Sequence, residues 1–329
     1  MIRTRASQGR PKTTPAVRPV APPMPALPAA DIEEAVRYAK AEKAPATRRA
    51  YRTDFAIFEA WCAQRNASAL PASSETVAAY LAWEAGRSRP STIGRRVAAI
   101  RYAHKLAGRD VPCDDERVKA TVRGIRRTKG TAAAKKAPAT AARIIAMAHT
   151  GDGLIALRDR ALLLLGFAGA FRRSELVALD VSHIEQTDAG LRVTIAHSKT
   201  DQEGKGDTVA ILRGDVACPV NAVADWLAAA QITEGPVFRP VGKGGRVSTA
   251  RLSDRSVANI VKAHAARVGL DPKAFAGHSL RAGFLTSAAA RGAKLFKMMD
   301  VSRHRSVETV RGYVRDAELF KDHAGSGLL

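Results

Sequence analysis

A chain of 329 residues with 46% hydrophobic side chains is long enough to fold as two domains, each with its own core. Its 53 Lys and Arg against 31 Asp and Glu leave a net charge of +22, an excess that calls for a polyanionic partner, and nucleic acid is the common one. The longest apolar run, 161–167, is far too short to cross a membrane, the basic N-terminus lacks the apolar stretch of a secretory signal, and Cys62, Cys113 and Cys218 are scattered without CxxC spacing. A reducing, cytoplasmic setting with free thiols is expected, rather than disulfides or a zinc site.

The charge is uneven. Residues 1–137 carry 27 basic and 12 acidic side chains, and the remainder 26 and 19. Residues 1–30 hold seven prolines and five Lys or Arg with no acid, the composition of a disordered basic arm. Helical periodicity starts at Asp31. Tyr51, Phe55, Phe58 and Cys62 recur at helical spacing, with Thr47 as a plausible N-cap. A second helix follows a serine cap at Ser73 or Ser74 and stops at Gly86. In a third, Ile93, Val97 and Ile100 face inward, leaving Arg95, Arg96, Arg101 and Lys105 on its surface. In a fourth, the stripe is Val118, Val122 and Ile125, with Lys119, Arg123, Arg126 and Arg127 on the other side. Eight cations on two helices of one small domain fit phosphate contacts along a duplex. Tyr38, Tyr51, Tyr80 and Tyr102 sit within helical patterns and read as packing residues.

The domain spans 31–127, and the small, basic stretch 128–140 reads as a linker that lets two basic domains close around DNA. The second domain, 141–329, opens with two apolar helices. Runs 191–195 and 208–212 flank a polar, Gly-containing turn and predict a β-hairpin. Pro219 opens a further helix. Residues 235–248 suggest a short strand and a glycine-rich turn. Ser253 or Asp254 caps a helix that ends at Gly269. The predicted fold class is mainly α with a small β-hairpin or sheet: a helical domain, then a mixed α+β domain.

The chemistry concentrates in 277–314. His278 and Arg281 stand three apart, His304 follows, and Tyr313 comes nine residues later. A tyrosine that attacks a DNA phosphate needs cationic donors on the non-bridging oxygens, where charge grows. Arginine suits this because its fork meets two oxygens and stays charged. The leaving 5′ oxygen needs a proton from lysine or histidine, and a phenol of pKa about 10 needs help to ionise. Upstream, Arg172 or Arg173 follows an apolar helix, and Lys199 or Lys205 lies on the hairpin turn.

These residues, in this order, resemble the tyrosine recombinase (phage integrase) family. GAFRRSEL places the family's first arginine at Arg172, two residues before Ser-Glu-Leu, and Glu175 resembles the acid that supports the site. HSKTDQ supplies Lys199, GHSLRAG supplies His278 and Arg281, SRH supplies His304, and GYV supplies Tyr313. The resemblance covers roughly residues 31–320. It implies a helical core-binding domain and a tyrosine-recombinase catalytic domain that cuts and rejoins DNA through a 3′-phosphotyrosyl bond. It also implies no metal, no ATP and no other cofactor, and a homo-tetramer on two synapsed double-stranded DNA sites, in a bacterial cytoplasm at the nucleoid. One departure stands out: many relatives have Leu-Gly before the histidine, and this chain has Ser302-Arg303. Arg303 adds a charge that either binds phosphate or alters the packing of the segment bearing Tyr313. The rival readings are a type IB topoisomerase-like relaxing enzyme and a non-catalytic DNA-binding regulator on the same fold.

Overall fold

The computed structural model describes residues 28–132, 136–196, 206–319 and 325–327. The basic arm 1–27 and both hairpin lysines, Lys199 and Lys205, lie outside the described residues. The chain divides after Thr131 into two units.

The first unit comprises α1 (Ala29–Ala41), α2 (Pro45–Ala63), α3 (Ser74–Ala85), α4 (Pro90–Leu106) and α5 (Glu116–Lys129). Proline at the first helical position opens α2 and α4, where its missing N–H costs nothing, so α2 begins ahead of the Thr47 cap that the sequence suggests. Ser73 caps α3 by accepting from Thr76 N at 3.1 Å, and Asp115 caps α5. The core gathers Phe58, Trp61, Cys62, Val77, Tyr80, Leu81, Ile93 and Ile100. Tyr80 is fully buried, with its ring 4.9 Å from Phe58 and 5.4 Å from Trp61, and burial pushes its phenol up to about 12. Tyr80 is a packing residue; Tyr38, 65% exposed beneath the Arg37 guanidinium, is not.

Arg96 does not lie on the outer face. It is buried, donates to Tyr80 Oη at 2.6 Å and pairs with buried Glu84 at 3.2 Å. The helical repeat explains this: Arg96 is three residues after Ile93 and four before Ile100, so it stands on the apolar stripe. His104 continues that stripe, fully buried, and accepts from Ala72 N at 2.9 Å. Of the other basic residues, Arg95 grips the buried Asp54 carboxylate through two nitrogens, Arg101 pairs with Asp114 at 2.7 Å, and Arg123 pairs with Glu116. Lys105, Lys119, Arg126 and Arg127 are exposed.

Parts of the stretch 128–140 belong to described elements. α5 runs on to Lys129, and 136–140 belongs to the second unit, where Ala137 N donates to Ala274 O and Ala139 N to Ser279 O. That unit contains α6 (Ala141–Ala148), α7 (Gly153–Ala168), α8 (Arg173–Ala178), β1 (Ile184–Thr187), β2 (Gly190–Ile195), β3 (Asp207–Leu212), α9 (Pro219–Ala229), α10 (Asp254–Arg267), α11 (His278–Ala290), α12 (Leu295–Ser302) and α13 (Val307–Ala317). The hairpin exists as β2–β3, with Gly190 opposite Leu212 and Ile195 opposite Asp207, and β1 adds an antiparallel strand that the sequence pattern did not reveal. Along β2 and β3, Leu191, Val193, Ile195, Val209 and Ile211 enter the core. The short strand expected in 235–248 is absent. Two isolated bridges, Asp180 to Pro236 and Val241 to Val247, stand in its place, because Pro236 and Pro240 remove ladder donors.

α7 is buried nearly all round and forms the spine of this unit. α11 packs against it and against the 137–141 segment so closely that a Cβ on Gly283 would stand 1.8 Å from the Ala139 carbonyl oxygen. Gly283→Ala is therefore expected to lower stability by about 1–3 kcal/mol, measured as the thermal midpoint, because backbone and not a flexible side chain has to yield. Among the described residues, no helix is long and apolar enough to cross a membrane.

Candidate active site

Four segments of the second unit bring the chemistry together. After α7 the chain turns sharply through Gly169 and Ala170, the latter at φ +46°, and buries Phe171. Arg172 then enters α8 as its N-cap residue. His278 and Arg281 stand three residues apart at the start of α11, so they project to similar sides. α12 ends at Ser302, and Arg303 reverses the chain in the left-handed region (φ 55°, ψ 40°), which returns His304 toward Arg281. On α13, Val310 is buried against Leu285, Ala289 and Met298, and Tyr313 lies partly buried at the edge of that cluster.

The polar groups interlock. Glu175 is almost fully buried. It accepts from the Arg172 backbone N at 2.9 Å, from Arg172 Nη1 at 2.5 Å and from Arg303 Nη2 at 2.8 Å. Arg281, 1% exposed, donates Nη1 to the Ala170 carbonyl at 2.8 Å and Nη2 to His304 Nδ1 at 3.2 Å. A guanidinium has only protons to give, so Nδ1 accepts and the His304 proton belongs on Nε2. Ser302 Oγ lies 2.8 Å from the same Nδ1 and 2.6 Å from Met298 O, sharing one proton between them. A cleft of about 300 Å³ beside this network is lined by Lys136, His278, Thr309 and Tyr313, among others.

Three guanidinium groups around one carboxylate leave a surplus of positive charge. Burial, then Arg172 and Arg303, lower Arg281 to about 9, so it stays protonated at neutral pH; Glu175 and Tyr313 act on it in the opposite sense. Burial alone would raise Glu175, but Arg303 and Arg172 outweigh it and hold the carboxyl below its usual range. His304 falls to about 4, through burial first and then Arg281 and Arg172. His278 opens to solvent at its edge, yet the protein packed round its ring, followed by Arg281 and Arg172, lowers it too. Both imidazoles are thus neutral at pH 7. In ring-proton NMR spectra of the free protein, His304 is expected to hold its shift from pH 8 to 5.5 and to move only near pH 4. A histidine of the unfolded chain takes up its proton near pH 6.5. Because the folded pKa of His304 is the lower one, the stability its neutral ring contributes is complete above about pH 6.5 and declines as pH falls toward 4.

The structure thus brings Arg172, Glu175, Arg281 and His304 into one hydrogen-bonded network and sets His278 and Tyr313 on the adjoining cleft. Arg173 is outside it. Its side chain crosses Gly277, where a Cβ would lie 2.1 Å from Arg173 Cδ, and reaches toward Asp254 at 3.7 Å. Arg303 faces inward and not toward open solvent. Sequence reasoning missed its pairing with Glu175, the Ser302 contact and the Ala170 carbonyl. The two side chains adjoin His304 in sequence and were open to notice; a carbonyl oxygen carries no sequence signal. Among the described residues, no group of three or more His, Cys, Asp and Glu side chains could hold a metal ion.

Comparison with known proteins agrees with this geometry. The profile of the phage integrase family matches residues 137–319. An integrase/recombinase XerD homolog of Selenomonas ruminantium is 41% identical over 298 residues, covering 88% of this chain and 87% of its own length. A tyrosine recombinase of Synechococcus elongatus is 31% identical, covering 82% and 85%. The fold is shared with a lambda integrase dimer bound to a COC′ core site (TM-score 0.58, 15% identity, 89% of this chain and 78% of that one). It is shared also with the XerH site-specific recombinase bound to a palindromic difH substrate (TM-score 0.58, 14% identity, 78% and 72%). With a site profile spanning more than half of its length and relatives of recombinase name along most of it, the chain belongs to the phage integrase family, that of the tyrosine recombinases.

Proposed function

We propose that the protein is a site-specific DNA recombinase in which Tyr313 attacks a backbone phosphate and forms a 3′-phosphotyrosyl bond while the 5′ oxygen leaves. The observation that carries this reading is the chain of hydrogen bonds that joins Arg172 to Glu175, Glu175 to Arg303, and Arg303 through the Ala170 carbonyl to Arg281 and His304, beside the cleft that His278 and Tyr313 line. Donors fixed before the substrate arrives need no reorganisation when charge develops on the non-bridging oxygens. In this assignment Arg172, Arg281 and His304 hold those oxygens. His278, neutral at pH 7, takes the phenol proton, and Lys199 or Lys205 of the hairpin turn protonates the leaving oxygen. The phosphotyrosyl bond conserves the phosphodiester energy, so religation needs neither ATP nor metal.

Lys105, Lys119, Arg126 and Arg127 are the exposed cations of the first unit that suit phosphate contacts. Arg95, Arg101 and Arg123 reach DNA only by sharing or exchanging their carboxylate partners. Exchange of strands between two duplexes implies four active sites, hence a homo-tetramer on synapsed DNA, working on the bacterial chromosome in the cytoplasm. Of the proteins that share the fold, the XerH recombinase is bound to a difH substrate and the lambda integrase dimer to a core site.

The test is covalent capture. The chain is incubated with fragmented genomic DNA from its host, adducts that survive detergent are recovered, and both the attached peptide and the cut sites are sequenced. The reading expects DNA on Tyr313 and cuts confined to one short motif. Relaxation of plasmids at unrelated sequences, without recombinant joints, would favour the relaxing enzyme instead.

A further inference from the structure

We infer that Arg303 is a positioning residue for phosphate transfer: it shares the charge of Glu175 with Arg172, so that the carboxylate does not rest on the Arg172 guanidinium alone, and it holds the turn that aims His304. The inference rests on the recombinase reading and deepens it.

Arg303 occupies a backbone region that L residues with a Cβ rarely enter, φ 55° and ψ 40°. Glycine would adopt it without strain, so a reason for arginine has to lie in the side chain. That side chain is 5% exposed, and both of its terminal nitrogens are engaged, while the buried Nε has no partner. Nη1 donates to the carbonyls of Gly169 at 3.1 Å and Val301 at 2.7 Å, Nη2 meets Glu175 Oε2 at 2.8 Å, and the guanidinium lies 5.1 Å from the Phe171 ring centre. A cation so enclosed does not reach a DNA backbone, which removes the phosphate-ligand reading of this residue.

What it touches instead is the support of the two phosphate-facing arginines. The Gly169–Phe171 turn that delivers Arg172 is held from one side by Arg281 on the Ala170 carbonyl and from the other by Arg303 on Gly169. Glu175 has two cations to satisfy it, Arg172 and Arg303. With Arg303 removed, the buried carboxylate has Arg172 alone as its close cation, and a buried carboxylate holds a lone cation tightly. Arg172, whose Nη1 already donates to Glu175 Oε1, would then be held more tightly by the carboxylate and offer less of its charge to the substrate, and the site would lose one positive charge. Arg303 also sits directly before His304 and fixes the reversal that puts Nδ1 against Arg281.

The experiment measures single-turnover cleavage of a nicked half-site together with DNA affinity and the melting point, for wild type, Arg303→Gly, Arg303→Lys, Glu175→Gln and the Arg303→Gly/Glu175→Gln double variant. Arg303→Gly suits the left-handed backbone but removes a buried partner of Glu175, so its melting point is expected to fall while the protein still folds and binds DNA. Its cleavage is expected to slow by about 10- to 100-fold, less than removal of a direct oxyanion donor would cause. Arg303→Lys, which keeps a cation beside Glu175, is expected to recover at least about tenfold of a full 100-fold loss. In the Glu175→Gln background there is no carboxylate charge to take up, so adding Arg303→Gly should slow cleavage by less than about threefold. Cleavage by Arg303→Gly at the wild-type rate overturns the proposal. So does a lysine variant as slow as the glycine one, or an equal loss with and without the Glu175 carboxylate. Should wild type itself form no adduct, the recombinase reading falls first, which keeps the two failures apart.

Discussion

Replacing Tyr313 by phenylalanine is expected to eliminate covalent protein–DNA capture and to slow strand cleavage by about 10⁴-fold or more, the scale of loss when a nucleophile is deleted. The substitution removes one oxygen atom. Tyr313 stands at the edge of the cluster around Val310, Leu285 and Met298, with its ring partly buried, so the phenylalanine ring keeps the apolar contacts of α13. Melting temperature and affinity for a cognate site should therefore stay close to wild type. Capture by Tyr313→Phe would place the nucleophile on one of the other four tyrosines, Tyr38, Tyr51, Tyr80 or Tyr102, all on helices of the first unit. The neighbouring His278 gives a graded control: a neutral ring that only accepts a proton should cost far less than the nucleophile itself when replaced by glutamine, about 10²–10⁴-fold.

The contrast between the two units shows what a sequence can and cannot carry. Helix caps, proline starts and apolar stripes are local signals, and most elements follow from them: Ser73 and Ser253 each cap the helix that their position announces. The β2–β3 hairpin is equally local, since strict alternation places Leu191, Val193 and Ile195 on one face. The four-residue β1 was invisible because Ile184-Glu-Gln-Thr187 lacks alternation and forms by pairing with β2. Arg96 was misplaced for a different reason. Its charge suggested an outer face, but its position on the 93–96–100–104 repeat put it inside, where Tyr80 and Glu84 satisfy it. For a long polar side chain, helical phase outranks charge when a partner waits in the core.

Within the candidate site, the residues that the structure gathers were legible because the chemistry proposed for them is demanding and their order along the chain is distinctive. Their supports were not. Glu175 was readable as an acid near Arg172, but nothing in the sequence says that Arg303, 128 residues later, shares it. Such pairs are set by tertiary packing, in this case by α12 ending beside the Gly169–Phe171 turn. The Ala170 carbonyl is a further example, since it became an acceptor only because the backbone turns through φ +46° there.

Arg281→Lys is expected to reduce cleavage by about 10²–10³-fold while affinity for the DNA site changes by less than about threefold. The argument starts from burial. Arg281 is 1% exposed and already spends Nη1 on the Ala170 carbonyl and Nη2 on His304 Nδ1. Its planar fork has five N–H donors, so it can make those bonds and still offer N–H to a phosphate oxygen. Lysine has three donors on one atom at the end of a shorter reach, and it cannot span carbonyl, imidazole and phosphate together. Two consequences separate this from a simple loss of charge. His304 loses the donor that fixes Nδ1 as an acceptor, so its proton is free to sit on either nitrogen and the Nε2–H donor is no longer guaranteed. The Ala170 carbonyl or the lysine ammonium is also left short of a partner, which is expected to lower stability by about 1–3 kcal/mol. Rapid-quench cleavage assays read the first effect, DNA binding at matched salt separates it from affinity, and thermal unfolding without DNA reads the second. A lysine variant that cleaves within about tenfold of wild type would show that charge at this position suffices and that the fork geometry is not used.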